Sequence, residues 1–295
     1  MTASTELIIL NTTKFRENQL VLHTLSRVHG RRSFLVRVGK QASMALFLPL
    51  NLLEGDVTEN PKSTLWTVRN LSALHPLNGI RGNLHKNTMT LFMSEVLFRA
   101  LREGAVEEGL FDWCRKTILT LDAMESDFSN YPIRFLLELA AALGFSPTFE
   151  SVAPFVGSGL TGHIASQAPG SAGYVPGTAS HVPGSAGYVP GTASHVPGTA
   201  SHVPGTASQP SGMAGYAPRP TGNAPGNAPD APGSFNHLRT LQAFLGATFS
   251  ESMLIPLSGA DRNAIAEELV RYLEFHTELP LNIRSLKVLR ELYGA

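Results

Sequence analysis

Apolar and polar positions alternate over the first 75 residues and then recur at helical spacing, so the chain changes from strand to helix once. Residues 7–10 form a short apolar run, and residues 20–25 form another after a polar stretch. Residues 32–38 alternate cleanly, with Phe34, Val36 and Val38 on one face and Arg31, Ser33, Leu35 and Arg37 on the other, which predicts a solvent face for the second set. Arg27-Val28-His29-Gly30 lies between these runs, and Gly30 can take the positive φ of a hairpin turn. Residues 46–57 and 64–74 are two further candidate strands, separated by Glu59-Asn60-Pro61. Five short strands punctuated by turn residues predict a small barrel.

Residues 84–102 read as a broadly apolar helix that stops before Gly104. Leu110, Cys114, Ile118 and Leu121 share one face of the next helix. A third carries Leu136, Leu139, Ala140 and Leu143, opened by Pro132 and closed by Gly144 and Pro147. Helical periodicity resumes near Phe235. Ser258-Gly259-Ala260-Asp261 resembles a capping box, followed on one face by Ile265, Leu269, Tyr272, Leu273 and His276. Leu286, Leu289 and Tyr293 mark a last short helix. Amphipathic helices of this size are marginal alone, so the early and late ones are expected to share a core.

The intervening stretch breaks both periods. Residues 168–209 hold six seven-residue copies, running APGSAGY, VPGTASH, VPGSAGY, VPGTASH, VPGTASH and VPGTASQ. A period of seven suggests a coiled coil, but Pro-Gly in every copy excludes a helix. Between residues 157 and 233 the only formal charges are Arg219 and Asp230, and large apolar side chains are few. Too little surface can be buried there to offset ordering entropy, so a disordered insert with transient turns is expected.

Composition sharpens the picture in one place. The net charge is zero overall, yet residues 1–80 carry nine Lys and Arg against five Asp and Glu, a balance of +4. Seven of these bases are Lys14, Arg16, Arg27, Arg31, Arg32, Arg37 and Lys40. Such a cluster suits the phosphates of a nucleic-acid strand, with Phe15, Phe34, Phe47 and Trp66 as candidate stacking platforms. Phe34 is in phase with Val36 and Val38 and is assigned to the core instead. An ordinary charged rim would produce the same spacing.

Catalytic signatures are missing. There is no GxxxxGK[ST], HExxH, GxSxG or CxxC motif. The pairs Glu107/Glu108 and Glu267/Glu268 are adjacent on helices, point apart and read as solvated surface. The single cysteine, Cys114, excludes an internal disulfide and a four-Cys zinc site, lies on an apolar stripe, and fits a reducing cytosol. His181, His195 and His202 recur within the repeats and read as exposed. No cofactor, no secretory signal and no membrane span are expected.

Several segments resemble the RecO recombination mediators. Residues 13–22 (TKFRENQLVL) are similar to the family's opening pattern, continued by Leu25-Ser26, Gly30 and Ser33-Phe34-Leu35-Val36. Residues 48–54 resemble the strand after the first loop, and Phe92, Glu95, Val96, Leu97 and Leu101-Arg102-Glu103 resemble the first helix. Residues 134–145 are similar to the third helix and residues 285–292 to the C-terminal signature.

The resemblance implies an α+β chain with an N-terminal five-stranded OB-fold DNA-binding domain over residues 1–80. It implies an all-helical domain over 81–150 and 235–295, interrupted by the insert at 151–234. It further implies binding to single- and double-stranded DNA, strand annealing, and joint action with RecR in loading RecA onto DNA coated by single-strand binding protein. Arg134 matches an arginine that meets that protein's acidic tail, and a cytoplasmic, nucleoid-associated protein without a catalytic step is expected. The chain departs from the family pattern where many members hold a four-Cys zinc site, because that region has no Cys and carries the repeats instead. Two competing readings are a scaffold whose Pro-Gly repeats are the working part and a DNA enzyme with an unrecognised site.

Overall fold

A computed structural model describes residues 2–39, 43–156 and 232–293. Of the insert expected at 151–234, residues 157–231 with their histidines lie outside the described residues, as does Lys40, whereas 151–155 and 232–234 are helical. The chain opens with five strands: β1 (Thr2–Arg16), β2 (Gln19–Ser26), β3 (Gly30–Arg37), β4 (Leu52–Thr58) and β5 (Leu65–Ala73). They close into a barrel in the order β1-β2-β3-β5-β4. β3 and β5 pair in parallel, and the other pairs are antiparallel. This is the OB-fold barrel.

The short apolar run at residues 7–10 sits in the middle of a 15-residue strand. β1 pairs with β4 over Thr2 to Ile8 and with β2 from Leu7 to Arg16, with an irregularity between Ile9 and Asn11. All four residues of the run are buried because both faces of β1 are covered. Leu7 and Ile9 fill the barrel with Leu22, Phe34, Val36, Phe47, Leu53, Val57 and Val68. Ile8 and Leu10 point the other way, into a core shared with helices. A strand buried on both faces reads as a continuous apolar run, not an alternating one.

The strand expected at residues 46–57 begins later, at Leu52. Met44–Phe47 forms a 3₁₀ turn instead, and Leu50 adopts φ 61°. The Asn51 amide donates to the carbonyls of Ala45 (2.8 Å) and Leu46 (2.9 Å), while Arg81 donates to the Pro49 carbonyl (2.6 Å) and to Asn51 Oδ1 (2.7 Å). These side-chain bonds hold a bend where apolar content alone suggested a strand.

The helices are α1 (Asn78–Arg81), α2 (Leu84–Ala100), α3 (Leu110–Ala123), α4 (Tyr131–Ala142), α5 (Phe149–Val152), α6 (Pro232–Gly246), α7 (Phe249–Leu254), α8 (Gly259–Thr277) and α9 (Ser285–Tyr293). Leu110, Cys114, Ile118 and Leu121 are all buried, as their spacing predicts. The expected cap also forms, with Ser258 Oγ accepting from the Asp261 backbone N–H at 3.0 Å. Helices on both sides of the insert enter one core, which joins Phe135, Leu139 and Val152 to Leu241, Phe244, Leu269 and Leu273. Polar ties cross the same junction: the Tyr272 hydroxyl donates to the Phe145 carbonyl (2.9 Å). The Asn130 amide donates to Ser252 (3.0 Å) and Ile255 (2.8 Å) carbonyls. Glu267 pairs with Arg290, but Glu268 is only 5% exposed and faces His237, so the solvated reading of that carboxylate pair is corrected.

Barrel and helices meet along a seam at the β2–β3 turn. Gly30 has φ 61°, and a Cβ there would run into the Ala105 carbonyl. Arg31 N–H donates to the Ala105 carbonyl at 3.2 Å, and Gly104 N–H donates to the Arg31 carbonyl at 2.8 Å, so the loop after α2 extends the ladder. No helix among the described residues is long and apolar enough to cross a membrane.

Candidate nucleic-acid interface

One end of the barrel carries the β1–β2 turn and the last residues of β3, with the middle of β5 beside them. The register places Arg16 opposite Gln19 and Gln19 opposite Arg37, so two arginines flank one neutral residue across three strands. With strands ~4.8 Å apart, their backbones are separated by roughly 10 Å. Lys14 is exposed on the same strand as Arg16. Phe15 between them is 50% exposed, and the Arg16 guanidinium lies 5.3 Å from its ring centre. Arg37 also lines a groove of about 690 Å³ with Gln19, Leu35, Phe47, Thr67 and Arg69. Lys14, Arg16, Arg37 and Arg69 make no ion pair among the described residues. Unpaired cations beside an exposed aromatic ring are the equipment for holding a single strand by its phosphates and bases.

Arg69 is the member that sequence reasoning left out of the cluster. It shares a groove with Arg37 because β3 pairs with β5, segments distant in sequence that no local pattern brings together.

The remaining expected residues lie elsewhere. Arg27 pairs with Glu6 (2.9 Å) and Asp112 (2.8 Å) and covers the Phe111 ring at 4.6 Å. Hydrogen bonds to Asp112 and then Glu6 hold its guanidinium still more firmly charged. Arg31 is 7% exposed, lies 4.7 Å over Phe98 and pairs with Glu103 at 3.3 Å. Alternation correctly set it opposite Phe34, but the expected solvent exposure is corrected, because α2 covers that face at this level. Arg32 sits half-buried over Trp66 at 4.4 Å, with His29 edge-on to the same ring at 5.0 Å. These three occupy the opposite end of the barrel. Phe34 and Phe47 are buried inside and offer no stacking face.

Between the two ends His23 bridges the strands. Its Nδ1 meets Ser33 Oγ at 2.9 Å, and its Nε2 meets Thr13 Oγ1 at 3.2 Å. Its ring packs on Phe98 at 5.1 Å. Burial, reinforced by the nearby Arg31 charge, pushes the His23 pKa down.

In the helical part, Arg134 on α4 is 22% exposed and is already engaged. Its Nε meets Glu138 Oε1 at 2.6 Å, and Nη1 donates to the Ala247 carbonyl at 3.1 Å. Glu138 accepts in addition from Trp113 Nε1 at 3.3 Å. Cys114 is buried, which raises its thiol pKa and leaves it a core residue. Among the described residues no three His, Cys, Asp or Glu side chains gather as metal ligands would.

Comparison with known proteins bears on both halves. The family model described as "Recombination protein O N terminal" matches residues 1–77, and "Recombination protein O C terminal" matches residues 81–195. A protein of Phocaeicola vulgatus named DNA repair protein RecO is 31% identical over 147 residues, covering 48% of this chain and 61% of the relative. One of the same name in Flavobacterium johnsoniae is 29% identical over 157 residues, covering 52% of this chain and 66% of the relative. A third, from Porphyromonas gingivalis, is 28% identical over 151 residues, covering 48% of this chain and 61% of the relative. The chain thus spans about three fifths of the length of the first of these relatives.

Proposed function

The chain belongs to the RecO family, and on that premise we propose that it is a DNA-binding recombination mediator in DNA repair that carries out no chemical step of its own. The observation that carries this reading is the exposed set Lys14, Phe15, Arg16 and Arg37, joined by Arg69, at the β1–β2 end of an OB barrel. OB-folds take oligonucleotides on the face of their second and third strands and in adjoining loops. A strand laid across this end would meet cations on β1, β3 and β5 and one ring for stacking. Lys40, which follows β3 in sequence, belongs to the same proposed contact set.

The family premise extends the proposal to partners: single- and double-stranded DNA, annealing of complementary strands, RecR, and single-strand binding protein from which RecA loading would start. Arg134 is the proposed contact for the acidic tail of that protein. Since Arg134 already pairs with Glu138, the tail would have to exchange one carboxylate for another, which suits a weak and reversible contact. Work in DNA repair would suit a protein of the cytoplasm that stays with the nucleoid.

A salt series tests the DNA reading. Affinity for a single strand should fall with log salt at a slope of about −0.7 per phosphate contact, and Arg16→Ala or Arg37→Ala should each flatten it by about that amount. Arg27→Ala should leave the slope unchanged, because its charge is spent on Glu6 and Asp112. Equal slopes for wild type and all three variants would move the DNA site off this end of the barrel.

A further inference from the structure

The parallel ladder between β3 and β5 is short. Its register covers only Ser33–Leu65, Phe34–Trp66 and Leu35–Thr67. Both strands continue, β3 to Arg37 and β5 to Ala73. Past that point β5 stays with β4, pairing Val68 with Val57 and Arg69 with Asp56. β3 stays with β2, where Arg37 faces Gln19. The two strands therefore part at this end of the barrel, and the groove of about 690 Å³ is lined from both of them. Its volume is in the range of sites that hold small molecules.

The groove has an apolar floor and a cationic rim. Its buried lining is Val36, Val68 and Phe47, the last carried in by the 3₁₀ turn before β4. Its rim is exposed, with Arg37 on one strand and Arg69 on the other. Among the described residues no Asp or Glu lines it, and Asp56, opposite Arg69 on β4, accepts from Asn70 Nδ2 at 2.7 Å. One polar atom of the lining is left over. Gln19 Oε1 is buried and accepts no hydrogen bond among the described residues. A buried acceptor without a donor is costly, so a ligand that brings an N–H to it is favoured.

We infer that this groove takes a single unpaired nucleobase, an inference that rests on the reading of this end of the barrel as a DNA site. The flat faces of a base suit the apolar floor, and its edge carries the N–H that Gln19 Oε1 lacks. The phosphates on either side of it stay at the rim with Arg37 and Arg69. An apolar side chain of a protein partner would fill the floor but would bring neither the anions nor the donor. In a duplex the same base edge is spent on the opposite strand and the base is stacked between neighbours, so entry costs unpairing and unstacking. The groove thus makes the site prefer single strands, a choice that phosphate contacts alone do not make.

Binding of the full chain to labelled strands tests this. Oligothymidylate and an abasic strand of equal length carry the same phosphates, and the wild type should hold the first about tenfold more tightly. Thr67→Leu obstructs the groove with a side chain that cannot stack, and should bring the two probes to within about threefold of each other. The abasic strand, held at the rim alone, reports whether that variant is still folded. Gln19→Leu removes the acceptor and should weaken the preference in the same direction. A duplex with one unpaired thymidine should outbind its fully paired counterpart in the wild type but not in Thr67→Leu. Equal wild-type affinity for oligothymidylate and the abasic strand, with a steep salt slope for both, overturns the groove and spares the DNA reading. A preference that survives both Thr67→Leu and Gln19→Leu overturns it as well. Binding to neither strand removes the DNA reading itself, and the groove falls with it.

Discussion

At the scale of single residues, burial divides the basic cluster into two groups that look alike in sequence. Arg31 and Arg37 share a strand and a face, yet Arg31 lies under α2 against Phe98 and Glu103 while Arg37 is exposed at the barrel's open end. Alternation gives the face of a side chain but not what covers that face, which is why the solvent expectation failed at one position. His23, on the neighbouring strand, turns the seam into a titratable element. Its pKa is lowered from 6.5, so the unfolded chain takes up a proton before the folded one does. Stability from this site is therefore fully present above about pH 6.5 and is lost as pH falls through the lowered folded value. Urea unfolding between pH 7.5 and 5 should show this acid-side loss, and His23→Gln should remove its His23-dependent part. An unchanged acid slope in the variant would assign the loss to other groups.

At the scale of elements, side chains that bond to backbone do much of the positioning. The single Asn130 amide reaches carbonyls on three residues, Ser252, Met253 and Ile255, and so fixes the end of α7 against the start of α4. Asn130→Ala strands these buried acceptors and should lower unfolding free energy by about 2–3 kcal/mol, measurable by denaturant titration. Asn130→Asp replaces donors with acceptors and should cost at least as much. A loss below ~0.5 kcal/mol for both would mean that water replaces the amide at no cost. None of this network was legible in the sequence, where Asn130 sits in an unremarked loop. The helices themselves were legible, since Leu110, Cys114, Ile118 and Leu121 keep strict spacing. The bend at Met44–Phe47 was not, because its cause is Asn51 and Arg81, one of which comes from α1.

At the scale of the whole molecule, segments on either side of residues 157–231 contribute to one apolar core. The helices that flank this stretch in sequence enter that core together, Val152 from α5 and Leu241 from α6. Replacing residues 160–230 with a short flexible linker should therefore change the unfolding free energy by less than ~2 kcal/mol, because loop length acts only through the logarithm of closure entropy. A larger drop in calorimetry would make the repeats part of the structure. The two covered faces of β1 carry a different consequence. Ile8, Leu10, Leu25, Leu50 and Leu52 all turn outward from the barrel into the helical core. Excised at residue 77, where the match to the N-terminal family model ends, the barrel would present that row to water as a sticky surface, and neighbouring copies would associate through it. The barrel is thus not a portable cassette, since the helices it carries shield its back.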